Sequence, residues 1–414
     1  MSRVSRTAVV VGSSVAGVRT AQALAAGGFD GRVLVVGAED TAPYDKPPLS
    51  KHFLTGAWTA GKLALLNGGP ADERVELRLG AAAEHLDVED KQVRLSDGTR
   101  VRYDVCVIAT GASARPSPWA ARDGVHVLRT LRDGAALRRD LLRGGDVVVV
   151  GGGFVGAEVA AAARGLARRV TVVDPLRDPM ARVVGPTIGP LLSGIHERHG
   201  VRTRFGTGVV AIEGTSGDLR VFLDDGTVLP AATVVVGIGA VPNDGWLRSS
   251  GLDVADGVLC DEYCRAQGTR DVYAAGDVAR WPHPRHGGHV RVEHWTNAVE
   301  QAACVARNIV RPDEPVPYRP VEYVWSDQYD WKIQIAGSPA RATGHTVLGD
   351  PTGDRPRAAV AYTDAAGRLA AAVTLNWPRA LVACRRLLAA EADFTRAVEE
   401  LEPLADARPT GRRS

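Results

Sequence analysis

The stretch VVVVGGGFVGAEVA, Val147 to Ala160, decides the reading of this chain. Four consecutive valines make a strand, and the alanine-rich segment after them makes a helix. Between the two lie Gly151, Gly153 and Gly156, spaced G-x-G-x-x-G. In that pattern the first glycine turns the chain out of the strand. The second lets backbone approach a pyrophosphate, and the third lets the helix pack closely on the sheet. Phe154 and Val155 lie between the last two glycines and belong to the same candidate binding set. The following strand, RVTVVD, ends at Asp174, about twenty residues downstream of the loop, as the dinucleotide fingerprint requires. A carboxylate there suits a free ribose 2′-hydroxyl and repels a 2′-phosphate, so NADH is expected over NADPH. Arg177, three residues on, tempers that preference.

The same order of elements occurs earlier. Thr7 to Gly37 runs strand, glycine turn, alanine-rich helix (Val15 to Ala26), strand, and is about as long as a βαβ unit. Its loop, AVVVGSSVAG, keeps Gly12 and Gly17 but has Ser14 at the middle position. Serine is small enough for backbone to approach a pyrophosphate, though less closely than glycine. At the end of its second strand, VLVVGAED offers Glu39, which is either a ribose ligand or an exposed loop acid. Two such units in one chain predict an α/β fold with parallel strands and two nucleotide sites.

Bulk properties narrow the function. The chain has 414 residues, too many for one ordinary core. A formal net charge of +2 argues against a general nucleic-acid binder, and no segment reads as a membrane span. The arginine pairs Arg168-Arg169, Arg385-Arg386 and Arg412-Arg413 read as solvated surface or tail. Five scattered cysteines give no disulfide framework, and Cys260 and Cys264 in LCDEYC lack further ligands for a zinc site, so no metal is expected. The first strand begins at Thr7, which leaves no room for a signal peptide and makes the cytoplasm the expected compartment. A frayed tail is expected from about Pro409.

Between the two units stands APYDKPPLSKHFL (Ala42 to Leu54), and further motifs follow in order. These are ATGASARP (Ala109 to Pro116), LRTL (Leu128 to Leu131), VVGIGAVPN (Val235 to Asn243), YAAGDVA (Tyr273 to Ala279), EHWTNAVEQA (Glu293 to Ala302) and WSDQYDWKIQIAG (Trp325 to Gly337). In this combination and order the chain resembles the FAD-dependent NAD(P)H:ferredoxin reductases. These are putidaredoxin reductase-like proteins and the reductase components of aromatic dioxygenases, within the pyridine nucleotide-disulfide oxidoreductases but lacking the redox disulfide. The resemblance covers nearly the whole chain and thins after about residue 340.

The resemblance implies a glutathione reductase-like fold. An FAD domain (1–114 and 241–318) would be split by an NAD(P)H domain (115–240), with a C-terminal α+β interface domain (319–414). In that last domain strands are expected at Ala358–Tyr362 and Leu369–Leu375, and a helix at Arg379–Leu388. The resemblance further implies that Lys51 lies beside the flavin and pairs with Glu158, as the catalytic pair. A helix acid is costly to bury unless paired, so the couple also makes chemical sense. Asp277 resembles the family's aspartate that hydrogen-bonds the FAD ribityl chain, or is a turn aspartate. Ala16, Ala83, Arg129 and Trp295 fall where the family contacts FAD, and the resemblance puts Gly239 among the cofactor-binding positions. Lys46 replaces an arginine near the pyrophosphate, keeping charge but losing the bidentate fork. Trp325 matches a tryptophan placed by the flavin, or is a core aromatic.

Disulfide-reducing relatives carry cysteines on the helix after the first βαβ unit; here no cysteine precedes Cys106. Electrons are therefore expected to pass from NADH to FAD and on, singly, to an iron–sulfur protein such as a ferredoxin that feeds an oxygenase. Local arginines and lysines would dock that acidic partner. The protein would work as a monomer or homodimer. Two other readings stay open at this point: an NADH-dependent reductase of a quinone, dye or other small acceptor, and a redox-sensing flavoprotein scaffold.

Overall fold

The computed structural model describes residues 6–66, 72–353 and 356–406. The tail expected to fray from Pro409, and the pair Arg412-Arg413, lie outside these residues. The chain divides into two compact units: Met1–Lys46, Ala60–Ser113 and Ala240–Pro320 form the first, and Pro47–Thr59, Ala114–Gly239 and Val321–Ser414 the second.

The first unit is built on a five-stranded parallel sheet, ordered Val272–Ala274, Val105–Ile108, Arg6–Val11, Gly31–Val36, Val75–Arg78. Its central strand is fully apolar from Ala8 to Val11 because both faces are covered. Helix Val15–Ala26 follows and packs against helix Trp295–Val310. Its buried stripe of Ala16, Gly17, Thr20, Ala21 and Leu24 is small enough for close approach. The unit also holds two small three-stranded sheets. One is antiparallel (Ala83–Asp87, Gln92–Leu95, Arg100–Arg102) and the other mixed (Val258–Leu259, Ala279–His283, Gly288–Arg291).

The second unit holds another five-stranded parallel sheet, ordered Arg202–Phe205, Val170–Asp174, Val147–Val150, Thr233–Val236, Val125–His126. It also holds a five-stranded antiparallel sheet, ordered Tyr323–Gln328, Trp331–Gly337, Leu369–Leu375, Arg357–Thr363, Gly344–Asp350. One face of this second sheet packs on helices Pro378–Ala389 and Phe394–Asp406. On the other face, Trp331, Ile333, Val360 and Tyr362 share a core with Met180, Val184, Leu192 and Ile195.

The strands and helices expected from sequence are present, with ends shifted by a residue or two. The C-terminal sheet is larger than the two expected strands. Tyr323–Gln328 and Trp331–Gly337 mix polar with apolar residues, and Gly344–Asp350 is a polar edge, so none of these three further strands shows a long apolar run. No helix among the described residues is long and apolar enough to cross a membrane.

Candidate functional site

In the second unit the glycine loop is shaped by contacts only glycine tolerates. Gly151 has φ +104°, and a Cβ there would lie 2.3 Å from the Gly237 carbonyl oxygen; one on Gly156 would lie 1.9 Å from that of Gly151. Gly153 differs, because a Cβ on it would meet nothing within 4 Å. It caps helix Phe154–Gly165 without any side-chain hydrogen bond, and no acid occupies the first turn. Helix Leu131–Arg143 in the same unit is closed by a reciprocal Thr130–Asp133 capping box. The glycine helix therefore presents open N–H groups and positive dipole beside free space, which is what a pyrophosphate requires.

Asp174 is nearly buried, its Oδ2 accepting from Gly152 N and its Oδ1 from Leu176 N, both at 2.8 Å. The carboxylate ties down the loop and keeps acceptor capacity for a ribose hydroxyl pair. Val155 is exposed, Phe154 packs on the shared core, and Gly239 is exposed at φ +109°.

The first unit repeats the arrangement. A Cβ on Gly12 (φ +124°) would lie 2.1 Å from the Ala109 oxygen, and one on Gly17 would lie 1.8 Å from the Gly12 oxygen. Ser14 caps helix Val15–Ala26 with no side-chain hydrogen bond, so this helix end is open too. Ala16 is buried on the first turn. Glu39 accepts from Tyr44 Oη at 2.6 Å and Lys46 Nζ at 3.1 Å, and Lys46 also lies over the Tyr44 ring. Gly276 N donates to the buried Gln301 Oε1 at 2.8 Å, and the Asp277 carbonyl accepts from Arg291 at 3.0 Å. Trp295 Nε1 donates to Asp45 Oδ1 at 2.6 Å. Burial raises the Asp45 carboxyl above its ordinary range, against the pull of the Trp295 N–H and the Arg19 charge. Ala83 is half-buried at the start of strand Ala83–Asp87.

The most concentrated chemistry lies in the second unit. Glu158, 5% exposed, projects from the glycine helix. Its Oε2 accepts from Lys51 Nζ at 2.8 Å and from Ser50 Oγ at 2.5 Å, and its Oε1 from Ser326 Oγ at 2.7 Å. Lys51 belongs to this unit because Pro47–Thr59 packs there. A buried carboxylate with one ammonium and two hydroxyls around it is balanced in charge and hydrogen bonding. Trp325 stands one residue before Ser326, its ring stacked on Tyr323 at 5.9 Å. Arg129 N donates to Asp133 Oδ2 at 3.1 Å, at the mouth of the capping box.

Residues 6–302 match the family described as pyridine nucleotide-disulphide oxidoreductase, and residues 323–406 match the family described as reductase C-terminal. The chain belongs to the pyridine nucleotide-disulphide oxidoreductase family. Rhodocoxin reductase from Rhodococcus erythropolis is 38% identical, over 94% of this chain and 90% of its own. The ferredoxin–NAD(+) reductase component of the anthranilate 1,2-dioxygenase system of Burkholderia cepacia is also 38% identical, over 93% of this chain and 94% of its own. Among solved structures, the covalent putidaredoxin reductase–putidaredoxin complex is similar with a TM-score of 0.87 and 31% identity, covering 97% of this chain and 99% of that one.

Membership explains why two open glycine loops occur in one chain, and the residues present fit two dinucleotides. Sequence reasoning named the loops, Glu39, Asp174 and the Lys51–Glu158 pair. It assigned no role to Ser50, Ser326, Asp45 or Gln301, although all four lie within the quoted motifs. Their only signal was their place inside those motifs.

Proposed function

We propose that this protein is an NADH-dependent ferredoxin reductase feeding an oxygenase, either a haem-thiolate monooxygenase or a Rieske dioxygenase. The observation that carries this reading is similarity along nearly the whole chain to ferredoxin reductases, in a molecule with two open glycine loops. When bound, FAD accepts a hydride from NADH and releases electrons singly to the ferredoxin. The domain assignment follows: FAD on residues 1–114 and 241–318, NADH on 115–240, and partner docking on 319–414.

In the first unit, Gly12, Ser14, Ala16 and Gly17 receive the FAD pyrophosphate at the helix end. Glu39 receives a ribose, Lys46 supplies positive charge, and Asp277, Ala83 and Trp295 hold the rest of the cofactor. In the second, Gly151, Gly153, Phe154, Val155, Gly156 and Gly239 receive NADH. Asp174 selects the free 2′-hydroxyl, so NADPH is the poorer donor. Lys51 holds an ammonium toward the flavin, with Glu158 fixing its position, and Arg129 and Trp325 complete that surround. The protein acts in the cytoplasm.

The test is an anaerobic titration of the flavin spectrum with NADH and then NADPH, followed by mixing with a [2Fe-2S] ferredoxin. About one equivalent of NADH should bleach the flavin, and the ferredoxin should then be reduced. A flavin band indifferent to NADH would overturn the reading. Turnover with quinones but not with any ferredoxin would replace it with the small-acceptor enzyme.

A further inference from the structure

We propose that Ser326 is a positioning residue of the reductase, acting through Glu158 on Lys51; this rests on the placement of Lys51 in the electron-transfer site above. Ser326 and Gln328 are both fully buried. Gln328 Nε2 donates to Ser326 Oγ at 3.2 Å, so the serine hydroxyl has its proton directed to Glu158 Oε1, 2.7 Å away. Ser50 and Lys51, consecutive in the chain, both engage the other oxygen, Oε2. Among the described residues Ser326 is the one partner of Oε1, and without it the carboxylate is held through Oε2 only and turns more easily about its last torsion. Rotation would break the alignment that holds Lys51 Nζ.

The strand that delivers Ser326 is itself pinned. Residues Tyr323–Gln328 and Trp331–Gly337 form a hairpin with Ser326 opposite Ile333. Its tip residue, Tyr329, has φ +56°. The Tyr329 hydroxyl meets His196 Nδ1 at 2.9 Å, and its ring stacks on His199 at 3.9 Å. The C-terminal sheet thus contributes a side chain to the Lys51–Glu158 site, beyond any part in docking a partner.

The experiment compares Ser326→Ala, Ser326→Thr, Glu158→Gln and the Ser326→Ala/Glu158→Gln double variant of the full chain. The first readout is acetylation of Lys51 by limiting acetic anhydride, followed by mass spectrometry with and without flavin. Labelling of Lys51 should rise about tenfold in Ser326→Ala, the effect of one hydrogen bond to a charge, and fall back in Ser326→Thr. The second is stopped-flow flavin reduction by NADH. The limiting rate should fall about tenfold with the half-saturating NADH unchanged, and the double variant should be no slower than Glu158→Gln.

Wild-type labelling and rate in folded Ser326→Ala would overturn the proposal, as would losses that multiply in the double variant. Should Ser326→Ala not fold, Ser326→Cys keeps the volume with a weak donor and takes the same measurements. Labelling is read without any ferredoxin, so failure to reduce a ferredoxin would refute the reductase reading separately.

Discussion

At the scale of single residues, the second glycine loop separates a folding requirement from a binding one. A methyl on Gly156 would lie 1.9 Å from backbone oxygen, whereas one on Gly153 meets nothing in the protein. Gly156→Ala should therefore destabilise the second unit by about 3 kcal/mol or more, seen as a lower denaturant midpoint. Gly153→Ala should cost no more than about 1 kcal/mol, from a poorer helix cap, yet weaken NADH about tenfold by crowding the phosphates. Equal stability losses in both variants would remove the case for a ligand at Gly153. The Lys51–Glu158 pair makes a second test. Lys51→Met leaves a buried carboxylate with only hydroxyl donors and should cost about 3 kcal/mol. Adding Glu158→Gln should recover much of that loss, since the orphaned charge is gone. Additive losses in urea unfolding would mean that the pair is not electrostatically coupled.

At the scale of elements, the hairpin Tyr323–Gly337 and the helix Gly189–Arg198 are joined through His196. Burial, chiefly, with the neighbouring His199 adding and Glu197 opposing, lowers the His196 imidazole to about 4 from an ordinary 6.5. The folded protein holds the neutral ring, so the unfolded chain binds the proton more readily between those values. The contribution is complete above pH 6.5 and is lost as pH falls toward and through about 4. Integrated over that window it reaches about 3 kcal/mol. His196→Gln should flatten the stability profile there; an unchanged slope in equilibrium unfolding between pH 4 and 6.5 would assign the acid sensitivity elsewhere.

This hairpin also shows what the sequence conceals. Val147–Val150 is legible because a strand covered on both faces must be apolar throughout, and the glycines beside it have one geometric use. Tyr323–Gln328 buries Ser326 and Gln328, whose partners lie far away in the chain. No local period announces a polar residue whose place is set by a carboxylate 168 positions earlier. Asp174 was readable as a candidate ribose acid, but its grip on Gly152 depends on strand register that only the folded sheet reveals.

At the scale of the whole molecule, the family is named for a disulphide, and this chain has no thiol suited to that chemistry. Cys106, Cys260, Cys264 and Cys384 are buried, and Cys304 is partly so. Desolvation raises every one of them, Cys304 to about 11, Cys384 to about 12 and the other three further still. A thiolate is the species that attacks a disulphide, and at neutral pH these groups are protonated, four of them also enclosed. Electrons arriving from NADH thus have no thiol carrier, which is consistent with direct delivery to a one-electron acceptor. The native protein at pH 7 should be almost unreactive toward iodoacetamide, and all five cysteines should label once it is unfolded. Treatment of the native form should leave ferredoxin reduction by NADH unchanged. If alkylation of one cysteine in the folded protein abolished turnover, a thiol would have to be placed on the electron path, and the absence of any cysteine before Cys106 would lose its meaning.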